Sequence, residues 1–182
     1  MLDEKGSNMS TSYVDGEKVL ESLVYITNHN IQDVWKALKL LFYAEKIHME
    51  RFGQPITGDI FIAMDQGPVP SFAYDLIKEA QGNLKWEDPC VSSFQPKKVF
   101  YTYKNFVIKP KRPTNLEVLS ESAIEALTEA INTYGTLTDE ALSKLAHSEE
   151  CYVKTPKNHR IADAAYLDWL QISSDMREYI SS

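Results

Sequence analysis

The sequence predicts an α+β fold, a mainly helical single domain with a small antiparallel β-sheet or hairpin, and three observations carry that prediction. Residues 34–52 (VWKALKLLFYAEKIHMERF) are apolar around most of a helical circumference, the pattern of a central core helix. Two short runs rich in β-branched and aromatic residues, Val99–Tyr103 and Phe106–Lys109, flank Lys104-Asn105 and read as a hairpin. From Ser120 onward, capping residues followed by amphipathic runs recur, so the last third is helical. A chain of 182 residues is long enough for one well-buried domain and short for two. Its 43% hydrophobic and 11% aromatic content argues for a packed core rather than disorder.

Taken in order, Asp15 can cap a first helix from Gly16 to Thr27, whose Val19, Leu20, Leu23, Val24 and Ile26 form an apolar face. The core helix starts after Asp33 and stops at Gly53. Thr57-Gly58-Asp59 is a turn, and Ile60–Met64 reads as a short strand. Gly67-Pro68-Val69-Pro70 should bar strand and helix alike, giving a rigid turn whose prolines suit the entry of a helix from about Pro70 to Gln81. Residues 84–98 read as irregular. In the hairpin, Phe100, Phe106 and Ile108 are expected to face the core, with a turn that can exceed two residues. Ser120 caps a helix that carries Ala123, Ile124, Leu127, Ala130 and Ile131 inward and stops at Gly135. Thr138 caps the next, which ends near His147. A last amphipathic helix spans Ile161–Leu170, extended or kinked by Ser173–Ile180. Residues 1–14 read as a flexible tail and 15–182 as one domain.

Two polar residues of the core helix stand out. At about 100° per residue, Lys36, Lys39, Tyr43, Lys46 and Glu50 fall in one narrow stripe, and Glu45 and His48 lie almost opposite it, on the apolar face. A buried carboxylate and imidazole cost several kcal/mol unless hydrogen-bonded or paired. The expectation is a structural polar set, Glu45, His48 and Asp59, that fixes the Thr57–Asp59 turn and the Gly67–Pro70 segment. Glu-x-x-His is also the spacing of di-iron bundles, but such sites need a second copy, and the other histidines have Ile26, Lys144 and Pro156 three residues before them. Neither a metal nor another cofactor is expected.

The string LLFYAEKIHMERFGQPITGDIFIAMDQGPVPS resembles the Panacea family, whose usual pattern runs roughly K-LYFADKLHL-R-G-PITGD-Y-AM-GPVPS-YD. Leu40, Phe42, Ala44, Lys46, His48, Gly53, Pro55–Asp59, Ala63-Met64 and Gly67–Ser71 match it. LSESAIEAL, NTYGTLT and LSKLAHSEE look like the family's second half, so the resemblance covers about Val19 to Tyr152. Departures are Glu45, where the family usually has Asp, and Phe42-Tyr43, where it has Tyr-Phe.

Charge and chemistry narrow the function classes. The net charge of −7 lies wholly in residues 117–182, which hold 12 acids and 5 bases. Residues 97–112 (KKVFYTYKNFVIKPKR) hold six bases and no acid, a patch suited to a protein partner. Bulk charge argues against nucleic acid, and the helix pair around Gly135 presents acids where a recognition helix would present bases. Gly67–Pro70 lacks the amide donors and the Lys-Ser/Thr of a phosphate loop. Ser71 lacks a G-x-S-x-G context, Cys90 has no histidine nearby, and Cys151 follows Glu149-Glu150, which would raise rather than lower a thiol pKa. No apolar run is long enough to span a membrane, and two cysteines without ligand spacing fit a reduced, cytoplasmic protein.

What the resemblance implies is an antitoxin of a two-gene toxin–antitoxin module, of the kind associated with phages and phage defence, that neutralises a cognate protein toxin by direct contact. The expected partner surface comprises Gly67, Pro68, Val69 and Pro70 with Lys97, Lys98, Lys104, Lys109, Lys111 and Arg112. Alternatives are a proteolytic adaptor or transcriptional regulator, and a metal-dependent enzyme using Glu45, His48 and Asp59. Homo-oligomerisation stays open.

Overall fold

The computed structural model describes residues 14–84 and 88–181. Of the expected tail, residues 1–13 lie outside the described residues. Helix α1 (Gly16–Asn28) is capped by the Asp15 side chain, which accepts from the Lys18 amide. Helix α2 (Val34–Phe52) starts on Asp33, whose carboxylate accepts from the Lys36 amide, and ends at Gly53 in the left-handed conformation. Both Phe42 and Tyr43 are buried, so the swapped aromatic pair turns neither ring to solvent. Gly53 cannot be replaced cheaply: a Cβ there would lie 2.6 Å from the Met176 sulfur.

Strands β1 (Phe61–Met64) and β2 (Gly67–Pro70) form an antiparallel hairpin in the register Phe61↔Pro70 to Met64↔Gly67. The Gly67–Pro70 segment is therefore a strand, which corrects the expectation that its prolines forbid one. The tight turn makes Met64↔Gly67 the hydrogen-bonded pair, so Pro68 and Pro70 fall at positions where an N–H would point away from β1. On its other side β1 is bonded to residues 158–161: the Ala63 amide donates to the His159 carbonyl (3.0 Å), the Ile161 amide to the Phe61 carbonyl (2.8 Å).

Helix α3 (Ser71–Gln81) follows at once. The segment 84–98, read as irregular, contains two short helices among its described residues, α4 (Pro89–Ser93), capped by Asp88, and α5 (Pro96–Val99), which also takes Val99 from the expected strand. Each is too short to show a helical period. Strands β3 (Phe100–Tyr103) and β4 (Val107–Pro110) form the second hairpin, in the register Phe100↔Pro110 to Tyr103↔Val107. Its loop is Lys104-Asn105-Phe106, with Lys104 and Asn105 left-handed. Phe100 and Ile108 are buried, but Phe106 is in the loop and 59% exposed, against the inward position expected for it.

After a 3-10 turn at Leu116–Val118 come α6 (Glu121–Tyr134), α7 (Asp139–Ser148), α8 (Glu150–Val153), α9 (Asp163–Trp169) and α10 (Ser174–Ser181). Ser120 and Thr138 cap α6 and α7 as their sequence positions predict. Within α6 the buried residues are Ala123, Ala126, Leu127 and Ala130, with Ile124 and Ile131 only half-buried. α2 is the axle, packed by α1, α3, α6, α7 and β2. No described helix is long and apolar enough to cross a membrane.

Candidate functional site

The core of the site is a carboxylate on α2 that organises a loop. Glu45 is 2% exposed, and its oxygens accept from the Ile56 amide (2.8 Å), the Thr57 amide (2.8 Å) and, over a short contact, the Thr57 hydroxyl. The Thr57 hydroxyl oxygen in turn accepts from the Asp59 amide at 3.2 Å. Asp59 then reaches forward to α3. Helices need acceptors for their first amides, and Pro70 at the N-cap position supplies no side-chain oxygen. Asp59 stands in, accepting from the Phe72 and Ala73 amides at 2.9 Å each. The PITGD and GPVPS strings thus belong together: one carries the remote cap that the other lacks.

His48 serves a different contact. Its Nδ1 donates to the Gln54 carbonyl (2.6 Å), which leaves Nε2 to accept from the Ser122 hydroxyl (3.0 Å) and fixes a neutral tautomer. Burial pushes its pKa down, in keeping with that form. Glu45 and His48 are not bonded to one another. With both ring nitrogens engaged, His48 offers no metal a lone pair, and among the described residues no group of three or more His, Cys, Asp or Glu could hold an ion. Burial raises the pKa of Glu45 against its three hydrogen bonds. It also pushes Asp59 up to about 7, aided by the charge of Glu45.

The opposite stripe of α2 is not open to solvent either, and sequence reasoning missed what covers it. Tyr43 donates to Glu149 (2.9 Å) and stacks on Tyr134. Glu149 also accepts from the Trp169 indole (2.6 Å), whose ring stacks on Phe42 and lies under the Lys46 ammonium. Glu50 pairs with Lys46 and accepts from the Gln171 amide at 2.8 Å. Lys36 donates to the Leu137 carbonyl at 2.7 Å, and Lys39 is buried with its pKa lowered by burial. A polar stripe on an otherwise apolar helix was the available signal that something polar docks there. Burial and Glu149 push the Cys151 thiol up to about 12, so it is no nucleophile, while Cys90 is exposed.

The expected partner residues divide. Gly67, Pro68, Val69 and Pro70 are buried, because β2 packs against α2 and α7, so they form no exposed turn. Arg112 is fastened to buried Glu21 by two hydrogen bonds, Lys97 pairs with Glu79 (3.2 Å), and Lys111 donates to the Lys97 carbonyl. Lys98 and Lys109 are exposed and have no ion pair among the described residues, and Lys104 lies over the Tyr103 ring. Beside these lysines Tyr101, Tyr103 and Phe106 are each about three-fifths exposed. Backbone bonds tie this hairpin to the α1–α2 linker and the start of α2: the Val34 amide donates to the Phe106 carbonyl (2.9 Å) and the Ile108 amide to the Gln32 carbonyl (2.8 Å).

The scaffold is α+β and mainly helical, and it uses Glu45, His48 and Asp59 internally, as loop organisers and remote cap. Residues 38–152 match the family described as Antitoxin SocA-like, Panacea domain, and the chain belongs to that family. The match takes in Glu45, His48, Asp59, both hairpins and Glu149, and ends before Trp169. No curated protein and no solved structure matches the chain significantly.

Proposed function

We propose that this chain is the antitoxin of a two-gene module and neutralises its cognate toxin by direct, stoichiometric binding, with the β3–β4 hairpin as the docking face. The observation that carries the reading, beside family membership, is the exposed trio Tyr101, Tyr103 and Phe106 set among exposed lysines on a hairpin anchored to the core. Exposed aromatics with cations at the rim are the composition of a protein-binding hot spot. The face comprises Lys98, Lys104 and Lys109, with Lys97 and Lys111 at its edge; Arg112, bound to Glu21, fastens the chain after β4 to α1, and buried Gly67–Pro70 lies outside the face. An acidic toxin surface is the complement.

Nothing in this mechanism needs turnover. Glu45, His48 and Asp59 are taken up by backbone and hydroxyl partners, so they supply no activated nucleophile or base. A neighbouring reading frame whose product is toxic when expressed alone would supply the reagent for the test. Titrated against it, this chain should give protection that saturates at a fixed molar ratio. Permanent silencing by a small fraction of an equivalent, with a covalent mark on the toxin, would refute stoichiometric binding.

A further inference from the structure

A cavity of about 230 Å³ opens beside the buried carboxylates, with Glu45 and Asp59 at its floor and Phe61, Ile161, Tyr166 and Ile180 among its walls. Tyr166 is 8% exposed, and its hydroxyl is buried with no hydrogen-bond partner among the described residues. A phenol buried without a partner calls for an explanation. The carboxylates have spare acceptor capacity too. Each carboxylate oxygen can take about two donors, yet among the described residues Glu45 Oε2 takes the Ile56 amide alone, and Asp59 Oδ1 and Oδ2 take Phe72 and Ala73, with the Ile60 amide as a further donor to Asp59. The base at this site, Arg160, is turned to Asp163 at 2.8 Å and is half-exposed, so its charge is already balanced.

We infer that this cavity is a binding site for a guanidinium or primary ammonium group on an aliphatic stem. Such a group brings three to five N–H donors to a floor of acceptors, while its stem lies along Phe61, Ile161 and Ile180. The volume is below that of pockets for drug-sized ligands, and it suits a single chain-like cation. A cation beside two carboxylates also offsets the burial that disfavours their charge. The floor lies within the family match and the walls Ile161, Tyr166 and Ile180 lie beyond it, so the walls set which stem fits this chain. The inference stands apart from the hairpin reading, and either can fail alone.

The test is an NMR and calorimetric titration of the whole chain with n-butylguanidinium and, as its neutral isostere, n-butylurea. Saturable shifts at the amides of Gly58, Asp59 and Ile161 with the cation, and far weaker ones with the urea, are expected. Tyr166→Phe should retain the fold and weaken the cation about fivefold, the effect of one hydrogen bond. Two further arms separate sources: tighter binding of spermidine assigns a free amine, and tighter binding of a capped arginine amide assigns a side chain of a protein partner. Equal binding of urea and cation, no saturation, or an unchanged affinity in Tyr166→Phe overturns the site.

Discussion

Asp59 caps a helix to which it does not belong, and its burial makes that contact sensitive to pH. Its folded pKa of about 7 lies well above the ordinary carboxyl value near 4. Over that window the folded chain therefore holds a proton that the unfolded chain has released. The stabilisation is fully present below the unfolded value and is lost as pH rises through 7. The full difference is on the order of 4 kcal/mol. Asp59→Asn keeps an amide oxygen for one α3 amide and cannot ionise. Thermal melts should show the wild-type chain losing stability from about pH 4 to pH 7 relative to this variant. Parallel curves for the two would show that Asp59 stays ionised throughout. At this scale the helical wheel singles out Glu45 and His48 as polar residues on an apolar face. Their partners at Gln54, Ile56, Thr57 and Ser122 come from a loop and a helix that the wheel does not contain.

Elements were legible where a cap and a period coincide. Asp15, Asp33, Ser120 and Thr138 start helices, and Gly53 stops one, because each signal acts within one turn of chain. Gly67–Pro70 was not legible as a strand, since the rule against proline holds for amides that face a partner, and which way an amide faces depends on register. Phe106 misled for a related reason: a three-residue loop takes it off the strand and out of the inward alternation. That misplacement puts a third exposed ring on the proposed docking face. Reversing Lys104 and Lys109 to Glu should slow toxin association by about tenfold at low salt and by much less at high salt, measured by stopped flow. Equal rates for variant and wild type in both buffers would move the interface off the hairpin.

Over the whole molecule, the acidic residues 117–182 are held to the neutral remainder by the packing of α6 on α2 and by polar contacts along one side of α2. Glu149 is shared by Tyr43 and Trp169, and Glu50 receives the chain at Gln171. Such a clamp joins residues more than a hundred positions apart, and no local pattern announces it. Trp169→Ala removes a buried ring stacked on Phe42 and the donor to Glu149, and should cost about 3–5 kcal/mol. Hydrogen exchange should quicken most in residues 158–171 and least in α1. A loss below about 1 kcal/mol with unchanged protection would show that the C-terminal segment is held by other contacts.

The first hairpin also has a consequence for self-association. A strand with bare amides and carbonyls recruits other chains, and sheets are commonly guarded against that. Here β1 is sandwiched between β2 and residues 158–161, so its outward backbone bonds are already made. The far margin of β2 is guarded by composition, because Pro68 and Pro70 stand where its outward donors would be. Shedding residues 154–181 would strip the first guard and leave the second. Aggregates seeded by such a truncated chain should then grow along the β1 side, while the proline side stays inert.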